Sequence, residues 1–231
     1  MQPTLSDPAD LDRRHVGIVA LVCGAGFLVV AALVVTTSTN AVDTWWAAVT
    51  TRARAPVAVW VSQALTVVGD APATTALRVA GGIWLLLRRR YTAFWAWTIA
   101  AVAAPLIVQL VKELVGRARP LDYVWTAGGA SFPSGHAAAA AANAALVVLL
   151  LVPRRHRRLA AVLGAVWTAA MAAARNVLGA HWLADVAGGI LLGLSVTCGV
   201  VAVVLSIGDR RRQRSHGEEA DEWDARSQSR G

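Results

Sequence analysis

Six stretches of the chain are apolar for about 16 to 25 residues at a time, roughly the length a helix needs to cross the hydrocarbon of a bilayer. They run Val16–Val35, Pro72–Leu87, Thr92–Val111, Gly135–Val152, Leu159–Ala174 and Leu183–Ile207. With 56% of residues hydrophobic and 16% charged, the chain lies off the profile of a soluble domain. The fold expected is all-α: a polytopic membrane bundle of six helices over residues 16–208. The first run follows Arg13 and Arg14 like a secretory signal, but its apolar core exceeds the usual 7 to 15 or so residues. It is read as an uncleaved first span.

Arginines mark alternate connections: Arg13 and Arg14, Arg88 to Arg90, Arg154, Arg155, Arg157 and Arg158, and Arg210 to Arg212 with Arg214. By the positive-inside rule these four segments are cytoplasmic, which places both termini inside the cell membrane. Residues 1–15 and 209–231 then form cytoplasmic tails, the second polar, charged and expected to be disordered. The outward connections are Thr36–Ala71, Lys112–Ser134 and Arg175–Trp182. Within the first, residues 41–70 carry Trp45, Trp46 and Trp60 among apolar residues, and interfacial helices are expected there. The net charge of +8 comes from arginines at span ends, so topology accounts for it without a nucleic-acid partner. Cys23 and Cys198 lie inside spans, without metal-ligand spacing or a disulfide framework, and read as packing residues.

The outward connections nevertheless collect polar residues. Lys112, the single lysine among 22 basic residues, closes the third span and is followed by Arg117, Arg119 and the helix-stopping Pro120. Pro133 and Ser134 are start signals for the helix opening at Gly135, whose unpaired N–H groups and positive dipole make an anion site with His136 in the first turn. The third connection holds Arg175, His181 and Asp185; at the start of the last span, His181 and Asp185 fall four apart on one helical face. A carboxylate there needs a partner, and pairing with His181 orients that ring as a nucleophile or base. Singly, Lys112 reads as a snorkelling cation and His136 as an interfacial histidine. Together, on one leaflet, the residues form an anion cradle with two histidines, suited to phosphoryl transfer without a metal. Outside this set, Arg78 inside the second span must snorkel outward or face the bundle interior, and Asn143, on the His136 face of its helix, is packing glue or cavity wall.

The stretches KELVGRARP (Lys112–Pro120), PSGH (Pro133–His136) and ARNVLGAHWLAD (Ala174–Asp185) resemble, in order and spacing, the three motifs of the type 2 phosphatidic acid phosphatases. That family includes lipid phosphate phosphatases and the vanadium-dependent haloperoxidases. The resemblance implies that His181 attacks phosphorus to give a phosphohistidine, that Asp185 holds its tautomer and that His136 is the general acid. It implies that Lys112, Arg119, Ser134, Gly135 and Arg175 hold the phosphoryl oxygens, with no metal and no cofactor. One position departs: Ala174 stands where the family has a serine, removing a hydrogen bond worth about 1.5 to 3 kcal/mol to a charged group.

The reading is a membrane lipid phosphatase with its catalytic centre at the non-cytoplasmic ends of the helices. Its partners are the bilayer and a lipid phosphate: a polyprenyl diphosphate such as undecaprenyl diphosphate, phosphatidic acid, or phosphatidylglycerophosphate. Polyprenyl diphosphate is preferred, with Arg117 as an added contact to a second phosphate. Three alternatives remain open: an anion or lipid transporter without hydrolysis, vanadate-dependent halide oxidation, and a pseudoenzyme weakened by Ala174. The sequence fixes no oligomeric state.

Overall fold

Every one of the six apolar runs forms a helix, and two more helices fill the connection between the first two runs. The computed structural model describes residues 12–125 and 128–228, among which there is no strand. In chain order the helices are α1 (Arg13–Thr37), α2 (Ala41–Arg52), α3 (Pro56–Gly69), α4 (Ala71–Leu87), α5 (Tyr91–Val115), α6 (Gly135–Leu146), α7 (Arg157–Val177) and α8 (Leu183–Gln228). A π-helical turn, Val147–Leu151, prolongs α6, and a 3-10 turn, Arg154–His156, leads into α7.

Two expectations need correction. By length and apolarity, four segments suffice to cross a bilayer: Arg13–Thr37, Tyr91–Val115, Arg154–Val177 and Leu183–Arg210. Pro56–Gly69, Ala71–Leu87 and Gly135–Leu151 are apolar but shorter, so six equal spans is too regular a description. The helix α6 is short because it starts at Ser134, fully buried inside the bundle and not at its rim. The charged C-terminal tail does not lose regular structure after Ile207; α8 continues to Gln228. Arginine, glutamine, glutamate and alanine there favour helix, and no proline interrupts them. The expected N-terminal tail lies outside the described residues up to position 11.

The alanine run of α6 explains why this helix sits at the centre, packed by α5, α7 and α8. Small side chains let backbones approach, and α8 answers with glycines at the same contact. A methyl group on Gly189 would lie 2.4 Å from the Ser134 carbonyl oxygen, and one on Gly193 would lie 2.4 Å from that of Ala138. Beside them, Gly188 accommodates the ring of Phe132, which stacks on Phe27 with centroids 5.9 Å apart. Along the outer side of α8, α1 is pinned where Ser195 Oγ donates to the Ala20 carbonyl at 2.9 Å. Toward the other end Trp97 fills the core with Leu85, Leu146, Leu150 and Leu205, and its indole N–H donates to the Arg78 carbonyl at 2.8 Å. Outward-facing Leu21, Leu28 and Leu106 are exposed, as lipid-facing side chains are.

Because the atoms facing Gly189 and Gly193 are backbone, they cannot rotate away. Gly193→Val is expected to lower stability by more than the roughly 1 to 3 kcal/mol of ordinary overpacking, read as a lower thermal midpoint in detergent. An unchanged midpoint would mean that α6 and α8 are not in backbone contact.

Candidate active site

The helix α5 ends in the left-handed residue Gly116 (φ 60°), whose N–H closes on the Lys112 carbonyl at 3.0 Å. This stop releases Arg117 and Arg119 into an extended segment that crosses the ends of the helices. Lys112 Nζ donates to the Ala130 carbonyl at 2.6 Å. The Arg119 guanidinium is surrounded by the carbonyls of Gly128, Gly129, Ala130 and Ala180, and its Nη1 lies 3.3 Å from His181 Nε2.

Arg175 stands in the last turn of α7, its side chain buried. Its Nη1 donates to Thr66 Oγ1 of α3 at 3.1 Å, while its Nε, also buried, has no partner among the described residues. The hydroxyl beside this arginine thus comes from Thr66; Ala174 is buried next to it in the chain. After α7 the chain turns through Gly179 (φ 67°) to His181. Asn176 holds the His181 carbonyl at 2.9 Å and is itself held by the indole of Trp46 at 3.1 Å.

His181 does not share a helical face with Asp185, because α8 begins only at Leu183. The two meet through a cap instead. Asp185, third residue of α8, accepts the N–H of Trp182 at 2.8 Å, as an acidic residue at that position does in a capping box. The same carboxylate accepts from Ser131 Oγ and from Arg117 Nη1 at 2.6 Å. His181 Nδ1 faces its Oδ2 at 3.5 Å, without hydrogen-bond alignment, since that oxygen already receives two donors. Nδ1 therefore turns to the carboxylate and Nε2 to Arg119. Burial strips water from the ring and pushes the His181 pKa down to about 4; Asp185 opposes this, and Arg119 and Arg175 add to it.

At the mouth of α6, Ser134 is the N-cap: its Oγ accepts from Ala137 N at 3.5 Å, and its N–H donates to the Asp185 carbonyl at 2.8 Å. The Ser134 hydroxyl is thus buried and caps the helix start while keeping its own O–H to donate, and the Ser134 N–H ties α6 to α8. Gly135 is open toward the mouth; a methyl group there would meet only Val108, at 3.9 Å. His136 Nε2 lies 2.8 Å from Asp70 Oδ1. Arg175 acts electrostatically on both histidines, and Lys112 acts on His136.

Arg117 takes a place that the sequence reading did not give it. It is no phosphate contact: its Nη2 pairs with Asp43 at 2.5 Å, its Nη1 with Asp185 and its Nε with the Ser38 carbonyl at 2.8 Å, all in a buried setting. Arg78 faces inward, Nε donating to Asn143 Oδ1 at 2.9 Å. Asp43, Thr66, Asp70, Ser131 and Asn176 escaped the sequence reading. For the two carboxylates there was a signal: Asp43 and Asp70 are the only acidic residues between Asp12 and Glu113.

The PAP2 superfamily pattern matches residues 94–209, slightly more than half of the chain. No curated protein matches the sequence. Among solved structures, the chain resembles a transmembrane PAP2-type phosphatidylglycerolphosphate phosphatase from Bacillus subtilis, at 23% identity and a TM-score of 0.68, over 83% of this chain and 96% of that one.

Removing one member of a buried ion pair leaves an uncompensated charge. Arg117→Ala is therefore expected to destabilise the protein by about 3 to 5 kcal/mol, seen in detergent denaturation; a loss below about 1 kcal/mol would mean the triad is solvated. By NMR of labelled imidazole, His181 is expected to titrate near pH 4. A midpoint at the ordinary value of about 6.5 would place the ring in water.

Proposed function

The chain belongs to the PAP2 superfamily, and on that premise we propose that it is a membrane lipid phosphatase working through a phosphohistidine. The observation that carries this reading is the meeting of Arg119 and Arg175 at His181, with Lys112 acting on both of those cations; His181 Nδ1 is turned to Asp185 and its Nε2 to Arg119. With Nδ1 bearing the hydrogen, Nε2 carries the lone pair. Since burial holds the ring neutral above about pH 4, that lone pair is available at physiological pH.

In the first step Nε2 of His181 attacks phosphorus, the P–N bond forms and the P–O bond to the lipid breaks. His136, as an imidazolium held through Nε2 by Asp70, gives its Nδ1 hydrogen to the departing oxygen and becomes neutral. The cations and the Gly135 N–H stabilise the equatorial oxygens, where charge collects in the transition state. Water then attacks phosphorus, His136 takes its proton, the P–N bond breaks and inorganic phosphate leaves. Ser134 contributes by fixing the first turn of α6. The unpartnered Nε of Arg175 supports a phosphoryl oxygen beside it. The Thr66 hydroxyl on Arg175 supports activity despite Ala174, because the guanidinium is still held.

The substrate reading shifts with Arg117. The preference for a diphosphate used that guanidinium, which is consumed by Asp43 and Asp185. A glycerolipid monophosphate, phosphatidic acid or phosphatidylglycerophosphate, is now favoured, and the phosphatase of similar fold supports the second. Arginine placement supports cytoplasmic termini and an outward-facing site in the cell membrane.

The test is phosphate release in detergent from phosphatidic acid, phosphatidylglycerophosphate and undecaprenyl diphosphate, with chelator throughout. Release is expected without metal, fastest from a monophosphate, with an acid-labile phosphoenzyme trapped in wild type and absent in His181→Ala. Binding without release would favour transport, and a requirement for divalent metal would contradict the mechanism.

A further inference from the structure

The helices α3 and α4 are joined by one residue, Asp70, which is at once the end cap of α3 and the N-cap of α4. Aspartate at an N-cap ordinarily accepts a hydrogen bond from the second or third N–H of the helix. Asp70 does not: its side chain makes no capping bond, and Pro72 at the second position has no N–H to offer. Its carboxylate reaches across to α6 instead, Oδ1 at 2.8 Å from His136 Nε2. The approach depends on the residue before it. A methyl group on Gly69 would lie 2.3 Å from Met171 Cε and 3.4 Å from His136 Cδ2, so a larger side chain there has to displace the end of Met171 beside the ring.

The charges facing His136 give this contact its meaning. From α7 comes Arg175 and from α5 comes Lys112, both cations. The carboxylate of α8, Asp185, is turned to Arg117, Ser131 and Trp182, and Arg78 of α4 bonds to Asn143, seven residues further along α6. Among the described residues Asp70 is the anion that faces His136. A carboxylate only accepts, so a 2.8 Å contact places the hydrogen on Nε2. An acid needs a second hydrogen as well, on Nδ1; the carboxylate favours that imidazolium, which without Asp70 would stand between two cations.

We propose that Asp70 is the positioning residue of His136, accepting from Nε2–H and so holding the ring as an imidazolium whose Nδ1 carries the hydrogen for the oxygen that leaves phosphorus. The proposal rests on the phosphatase reading above. The site then contains two aspartate–histidine pairs of opposite purpose: Asp185 keeps a lone pair on His181 Nε2, and Asp70 keeps the His136 ring protonated. Asp70 remains a carboxylate throughout; the Nδ1 hydrogen passes from the His136 imidazolium to the lipid alkoxide, leaving a neutral ring, and is replaced from the attacking water.

The experiment uses the full chain and two substrates that differ in their need for an acid. The alkoxide of phosphatidic acid leaves only if protonated, whereas the anion of p-nitrophenyl phosphate leaves unaided. Asp70→Asn is expected to lower the rate of phosphoenzyme formation from phosphatidic acid about 10²-fold, the scale of general-acid catalysis, while the pre-steady-state burst of p-nitrophenolate from p-nitrophenyl phosphate, which precedes the step where His136 acts as base, stays within about threefold, which also shows that the variant folds. Asp70→Glu should recover part of the loss, and adding Asp70→Asn to His136→Ala should cost nothing further. Equal losses on both substrates, no loss on the lipid, or a further loss in the His136→Ala background would overturn the proposal. Wild type that releases phosphate from neither substrate would overturn the phosphatase reading and this inference with it; activity in wild type with any of the other failures removes the inference alone.

Discussion

One guanidinium locks the end of this bundle that carries the histidines. Arg117, leaving α5 just past its glycine stop, lies between Asp43 of α2 and Asp185 of α8, with the Ser38 carbonyl on its third side and the Trp182 ring over it at 5.6 Å. Charges so deeply buried persist only when each polar atom has a partner, and here the partners come from four parts of the chain. The result is a fixed Asp185. Because that carboxylate also caps α8 through Trp182 and receives Ser131, the ring of His181 has one face toward an immovable anion and the other toward Arg119.

The remainder of the site follows from how closely α6 and α8 approach. The glycines of α8 against the alanines of α6 bring the Ser134 N–H onto the Asp185 carbonyl, so the start of one helix is fastened to the start of the other. His136 and His181 therefore hang from two helix beginnings that share a hydrogen bond. Their surroundings differ in degree: His181 is sealed from water, while His136 and Asp70 remain partly open. Such grading suits a nucleophile that must stay neutral and an acid that must exchange its proton with water.

The apolar runs and the three motifs were legible because each is local. A span is written in consecutive residues, and Lys112, Arg119, Ser134, His136, Arg175 and Asp185 stand within short stretches at fixed spacing. The error at His181 came from carrying helical spacing two residues ahead of Leu183; the cap that starts α8 there depends on Asp185, which the pattern does not distinguish from an ordinary helical carboxylate. Asp43 and Asp70 were missed because their partners lie 74 and 66 residues away in the chain. Residues 41–70 read only as surface helices from their tryptophans, yet α3 brings Thr66 to Arg175 and its end brings Asp70 to His136. Arg117 was assigned to substrate for the same reason: its charge was visible and its two carboxylates were not.

The account stands on two histidines sharing one phosphorus atom, and a structure with orthovanadate bound examines that most directly. Vanadate takes the trigonal bipyramidal shape of phosphorus in transfer. The account predicts an axial bond from vanadium to His181 Nε2, equatorial oxygens toward Lys112, Arg119 and Arg175, and the opposite axial oxygen toward His136. Vanadate bound away from His181, or with His136 out of reach of the axial oxygen, would contradict it.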